Sequence, residues 1–189
     1  VPTIKHKGRI ISDSTFIAKY LEELKPEPSL YFDSNDKLNK EVLMLEDWAA
    51  EAFVQPFSKL AYIYLFEPPE VIIESNEFDT GLPLIDNNKS KIIPLLLNFR
   101  LKDMGVDINQ KDILKKRARA SLEILLSKLE DNEFLVGDKL SLADITVASH
   151  LSVAQKVPYI AEDDVYEPLF EWQQKIFNQT KRRNASSIS

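Results

Sequence analysis

Phe134-Leu135-Val136-Gly137-Asp138-Lys139-Leu140-Ser141-Leu142-Ala143-Asp144-Ile145 is the stretch that decides how this chain folds. Ser141 as N-cap and Asp144 three residues on form a capping box, in which each side chain satisfies a backbone N–H near the other. Leu140 and Ile145 stand at the two positions of a hydrophobic staple. The helix they open, Ser141 to Val153, is apolar nearly all round and therefore belongs in the middle of a bundle. An unpaired N–H at a buried helix start has no water to turn to. Ser141 and Asp144 are thereby assigned to structure rather than to catalysis.

Outward from the box the chain reads as helix on both sides. Lys111 to Leu129 is amphipathic, with Leu114, Ala118, Leu122, Leu125 and Leu129 inward. Its basic run, Lys111, Lys115, Lys116, Arg117 and Arg119, reads as a solvated helix face rather than an anion or nucleic-acid site. Glu167 to Phe177, carrying Phe170, Trp172 and Ile176, is a last, shorter helix, and residues 181–189 read as a disordered tail. Upstream, Leu38, Val42, Leu45, Trp48, Ala49, Phe53, Phe57, Leu60 and Tyr64 step by three or four residues along one long helix. Pro56 should kink or split it. Residues 67–90, with Pro68-Pro69, Gly81 and Pro83, read as an extended loop with room for one short helix. Ile92 to Leu101 is a strongly apolar helix in which Pro94 is tolerable only in the first turn.

The first 24 residues read differently. Thr3-Ile4-Lys5-His6 and Arg9-Ile10-Ile11 are short strands around a Lys7-Gly8 turn, a β-hairpin. Two strands alone make no stable sheet. Nothing downstream reads as a strand, so the partners are expected upstream of Val1, and the chain opens as if in the middle of a domain. A helix follows, with Ser12, Asp13 and Ser14 as candidate caps and Phe16, Ile17, Tyr20, Leu21 and Leu24 on one face. Pro26 and Pro28 end it. Residues 25–35 are a linker, which places an α/β piece at 1–24 and an all-helical domain at 36–180.

Composition narrows the chemistry. The 189 residues hold 24 Lys plus Arg against 30 Asp plus Glu, for a net charge of −6, which disfavours nucleic acid and anionic membranes as partners. There is no cysteine, so no disulfide scaffold, thiolate metal site or cysteine nucleophile lies within these residues. His6 and His150 are the only histidines, which disfavours a multi-histidine metal site. His150 reads as a satisfied core histidine and His6 as exposed. No apolar run approaches the roughly 20 residues of a membrane span, and no signal peptide is visible.

Val1-Pro2-Thr3-Ile4, Gly8-Arg9-Ile10-Ile11 and Asp13-Ser14-Thr15-Phe16-Ile17-Ala18-Lys19-Tyr20-Leu21 together resemble the second half of the thioredoxin-like domain of glutathione S-transferases. Phe134 through Asp138, then Ala143-Asp144-Ile145-Thr146, resemble the capping box and staple of that superfamily's all-helical second domain, and Leu169-Phe170-Glu171-Trp172 fits its last helices. The resemblance spans essentially the whole chain. It implies a mainly α protein, a partial thioredoxin-like α/β domain (hairpin plus helix) followed by an all-helical domain.

The resemblance also implies a site. Pro2 would be the cis-proline beside the active site, and Val1 would offer its backbone to the cysteinyl part of glutathione, the co-substrate. Ser14 and the N–H groups at the helix start would hold the γ-glutamyl carboxylate, with Asp13 at the family's acidic position. The chemistry of Asp13 and Ser14 by itself favours a plain helix cap, and the Val1-Pro2 context turns the reading toward ligand binding. The activating Tyr, Ser or Cys of the family falls upstream of Val1, so no catalytic residue is named here, and no metal is expected. The implied activity is transfer of the glutathione thiolate to a small hydrophobic electrophile or a disulfide, by a cytoplasmic homodimer meeting near residues 40–53. Leu43, Met44 and Trp48 are the apolar contacts expected there. A non-catalytic interaction module on the same fold is the alternative. Tyr62, Tyr64 and Phe66 lie where the family lines its hydrophobic-substrate pocket, though core packing accounts for them as well.

Overall fold

The structure is a computed structural model and describes residues 2–32, 35–66, 86–103 and 105–185. Strands β1 (Thr3–His6) and β2 (Arg9–Ser12) pair antiparallel, with Ile4 opposite Ile11. Lys7 and Gly8 both have positive φ (48 and 80°), the type I′ pattern whose twist suits a two-residue hairpin. Helix α1 (Ser14–Leu24) follows, ended where Pro26 removes an N–H donor. His6 is half-buried instead of exposed. Its Nδ1 lies 2.8 Å from the Tyr20 hydroxyl, because alternate residues of β1 turn toward α1.

The linker is fastened rather than loose. Asn39 accepts the Phe32 N–H and returns its own amide to the Phe32 carbonyl. Leu142 donates its N–H to the Leu30 carbonyl, which ties the linker to the start of the buried helix. Gly137 passes beneath the Phe32 ring with φ +63°, where a Cβ would fall 2.6 Å from the ring.

The long helix is three pieces: α2 (Asp36–Trp48), a π-helical turn (Ala49–Phe53) and α3 (Val54–Phe66). Val54 donates to the Ala49 carbonyl, a wide i→i−5 bond. Pro56 supplies the reason, since it offers no N–H to the Ala52 carbonyl and its ring would press on that carbonyl in α geometry. Helix α4 (Lys89–Asp103) starts earlier than its apolar run and contains Pro94 in its second turn rather than its first. Leu95, Leu96 and Phe99 on it are exposed. Then come α5 (Lys111–Leu129), α6 (Leu142–Ala154), α7 (Pro158–Ala161) and α8 (Glu167–Ala185). Helix α8 runs past residue 180, so the expected disordered tail is helical as far as Ala185, and 186–189 lie outside the described residues. The expected loop at 67–90 likewise lies outside them except for residues 86–90.

Helix α6 is the axis of the core. Val147, Ala148, Leu151 and Ala154 on it are fully buried among Phe53, Phe57, Leu60, Leu122, Leu125 and Ile176. Each large apolar side chain buried this way contributes about 1.5–3 kcal/mol. The capping box is in place, with Ser141 and Asp144 both fully buried.

Candidate functional site

The junction between β2 and α1 is held by local bonds. Asp13 leaves the strand with φ 79° and ψ 134°, a conformation strained for any residue but glycine. Its N–H donates to the Pro2 carbonyl at 3.0 Å, and its carboxylate accepts the Thr15 N–H at 2.9 Å as N-cap. The hydroxyls of Thr3 and Ser12 meet at 3.0 Å across the strands. Ser14 is the first helical residue and is exposed, and among the described residues its hydroxyl has no hydrogen-bond partner. Pro2, Asp13 and Ser14 therefore come together at a helix N-terminus. Val1, and with it the Val1–Pro2 bond, lies outside the described residues. Asp13 performs the cap by taking the Thr15 N–H, which leaves the Ser14 hydroxyl and the other first-turn N–H groups available to an anion.

Below this turn, Thr15 donates its hydroxyl to Glu46 of α2 at 2.6 Å. Glu46 is 4% exposed. At the other end of α1 the Glu22 carboxylate accepts from the Leu30 N–H and the Ser29 hydroxyl. The Tyr31 hydroxyl is buried without a partner among the described residues, and burial, then Glu22 and Glu46, push its pKa above the ordinary phenol value. No motif in the sequence marks Glu46. Its signal is positional, since it falls in the stripe of Val42, Leu45 and Ala49 that builds the core.

A second feature lies at the far end of the long helix. Ser58, Ala61, Tyr62, Tyr64, Val153, Lys156 and Pro158 line a cavity of ≈ 580 Å³. Tyr62 and Tyr64 are half-buried on its wall, so they are not simply core, and the Phe66 side chain is outside the description. Tyr64 and Tyr159 pack with ring centroids 6.1 Å apart. Lys111 lies 4.5 Å from the Tyr64 centroid, with Lys115 5.3 Å and Arg119 5.7 Å from that of Tyr159. Part of the basic run is therefore packed on tyrosines rather than merely solvated. Burial, chiefly, pushes the Tyr159 phenol up to about 12, with Tyr64 adding to the rise and Arg119 opposing it. The clue in sequence was the spacing of Lys111, Lys115 and Arg119 by four, which puts all three on one helix face. His150 bonds the Thr146 carbonyl at 2.7 Å and is satisfied. Among the described residues no group of three or more His, Cys, Asp or Glu could hold a metal. No described helix is long and apolar enough to cross a membrane.

Residues 90–180 match the family model for the glutathione S-transferase C-terminal domain. Protein LigF of Sphingobium sp. strain SYK-6 is 26% identical over 147 residues, which is 77% of this chain and 55% of LigF. The chain thus spans about half the length of that curated relative. The crystal structure of the beta-etherase LigF from the same strain superposes with a TM-score of 0.66, at 22% identity, over 93% of this chain and 73% of that one. The match over residues 90–180 and the shared fold both point to the glutathione S-transferase superfamily. Glutathione S-transferases from Rhodospirillum rubrum F11 (TM-score 0.57, 23% identity, 92% of this chain and 64% of that one) and Pseudomonas fluorescens Pf-5 (0.56, 19%, 93% and 68%) share the fold. The glutathione S-transferase likeness covers both the hairpin–helix unit and the helical bundle, since it extends over nine-tenths of the chain.

Proposed function

We propose that the protein binds glutathione at Val1, Pro2, Asp13 and Ser14 and transfers its thiolate to a small hydrophobic electrophile or a disulfide. The observation that carries this reading is the strained Asp13 beside an exposed Ser14 hydroxyl that has no partner among the described residues, in a chain of glutathione S-transferase fold. The γ-glutamyl carboxylate takes the Ser14 hydroxyl and the first-turn N–H groups that Asp13 does not cap, where the helix dipole favours a negative charge. The thiolate sulfur then bonds to the electrophilic carbon while the leaving group departs with the bonding pair; on a disulfide it forms a mixed disulfide and expels a thiolate. In this reading a hydrogen-bond donor stabilises the thiolate, and the groove fixes its direction. The protein works as a cytoplasmic homodimer in this reading. The beta-etherase name of one relative brings an ether into the substrate panel.

Calorimetric titration of glutathione into the full-length protein tests it. A hydrogen bond to a charged group contributes about 1.5–3 kcal/mol, so Ser14→Ala should bind on the order of tenfold more weakly with the fold intact. Equal affinities would remove Ser14 from the site. No binding by wild type would favour the non-catalytic interaction module.

A further inference from the structure

We infer that Thr15 and Glu46 are positioning residues, which hold the first turn of α1 in its ligand-binding geometry from the helical side of the molecule; this rests on the glutathione reading above. Helix α1 buries none of its own residues, so packing anchors it weakly and its ends are prone to fray. Hydrogen bonds at its two ends tie it to the rest of the chain. Glu22 fastens the last turns to the linker, and Thr15 fastens the first turn to α2. The Thr15 bond is the one next to the site. Ser14 lies between Asp13, tied to the Pro2 carbonyl, and Thr15, tied to Glu46.

Glu46 is an unusual residue to spend on ordinary packing. It is 4% exposed, and among the described residues it has no basic partner. A buried carboxylate without a cation is costly, and an apolar side chain would fill the same stripe position more cheaply. What the carboxylate adds is a short, charge-assisted bond with a defined direction. That bond sets where the turn sits, and with it the direction of the Ser14 hydroxyl and the N–H donors. Donors already aimed at a carboxylate bind it more tightly than donors that must first be ordered.

The test uses the full-length protein with Thr15→Val, Thr15→Ser, Glu46→Leu and Glu46→Gln, read by glutathione titration and by amide hydrogen exchange. Thr15→Val and Glu46→Leu should bind glutathione about tenfold more weakly, with faster exchange at residues 15–17. Thr15→Ser keeps a donor and Glu46→Gln keeps an acceptor, and both should stay within about threefold of wild type. In turnover, KM for glutathione should rise in the first pair while kcat is kept. Wild-type affinity in Thr15→Val overturns the inference. So does an equal loss in all four variants that follows their melting temperatures, which marks a merely structural contact. A wild type that ignores glutathione defeats the function proposed above, not this bond. The exchange arm then decides, and unchanged first-turn exchange in Thr15→Val overturns the positioning role.

Discussion

Asp144 serves three donors with two oxygens. Oδ1 accepts the Leu135 N–H at 2.7 Å, and Oδ2 accepts both the N–H and the hydroxyl of Ser141 at 2.8 and 2.7 Å. Burial pushes its pKa above the usual carboxylate value, and these bonds pull it back. An amide cannot replace it, because the NH2 of Asn would face one set of donors. Asp144→Asn should lower unfolding free energy by about 1–3 kcal/mol and Ser141→Ala by about 0.5–2 kcal/mol, measured by urea denaturation. Lost ligand binding at an unchanged melting temperature would instead assign the pair to a ligand site. At this scale the sequence was a good guide to Ser141, Asp144 and Asp13, because a cap is closed by residues two or three apart. It was silent on Glu46 and Tyr159, whose surroundings come from segments far away in the chain.

Among the elements, the contact of α5 with α3 and α7 carries a testable charge. The Tyr159 phenol ionises near 10 in an unfolded chain and at about 12 in the folded one. Between those values the folded state keeps a proton that the unfolded state has lost, so alkali favours unfolding. The contribution is complete below pH 10 and disappears as pH rises to about 12. The urea midpoint of wild type should therefore fall more steeply between pH 9 and 11.5 than that of Tyr159→Phe. Parallel declines would show that Tyr159 ionises at its ordinary value. The π turn before Pro56 and the early start of α4 belong to this scale as well. Periodicity locates a helix, but it does not say how the backbone accommodates a proline inside one.

For the whole molecule, the family resemblance leads us to expect a homodimer. Met44, Ile113 and Ile124 are exposed, and a groove of ≈ 530 Å³ runs between Glu51, Gln55 and Lys59 on one side and Arg117, Ser121 and Ile124 on the other. Leu43 and Trp48 are half-buried, so within the expected stretch Met44 is the apolar residue most open to a partner. Light scattering of the full-length protein should give twice the chain mass, and Ile124→Glu should shift it toward the monomer. A monomeric wild type would count against the expectation.

The sequence by itself determined the hairpin, the helices on either side of the capping box and, within a residue at each end, the buried axis, read as 141–153 and found at 142–154. Those features are written in turn chemistry, capping and apolar spacing, which act over a few residues. Only the tertiary structure decided that Glu46 reaches Thr15, that three basic side chains lie over Tyr64 and Tyr159, and that α1 leaves Phe16, Leu21 and Leu24 exposed. The environment of a charge or a ring is set by whatever packs opposite it, and in a helical bundle that neighbour can lie tens of residues away in the chain.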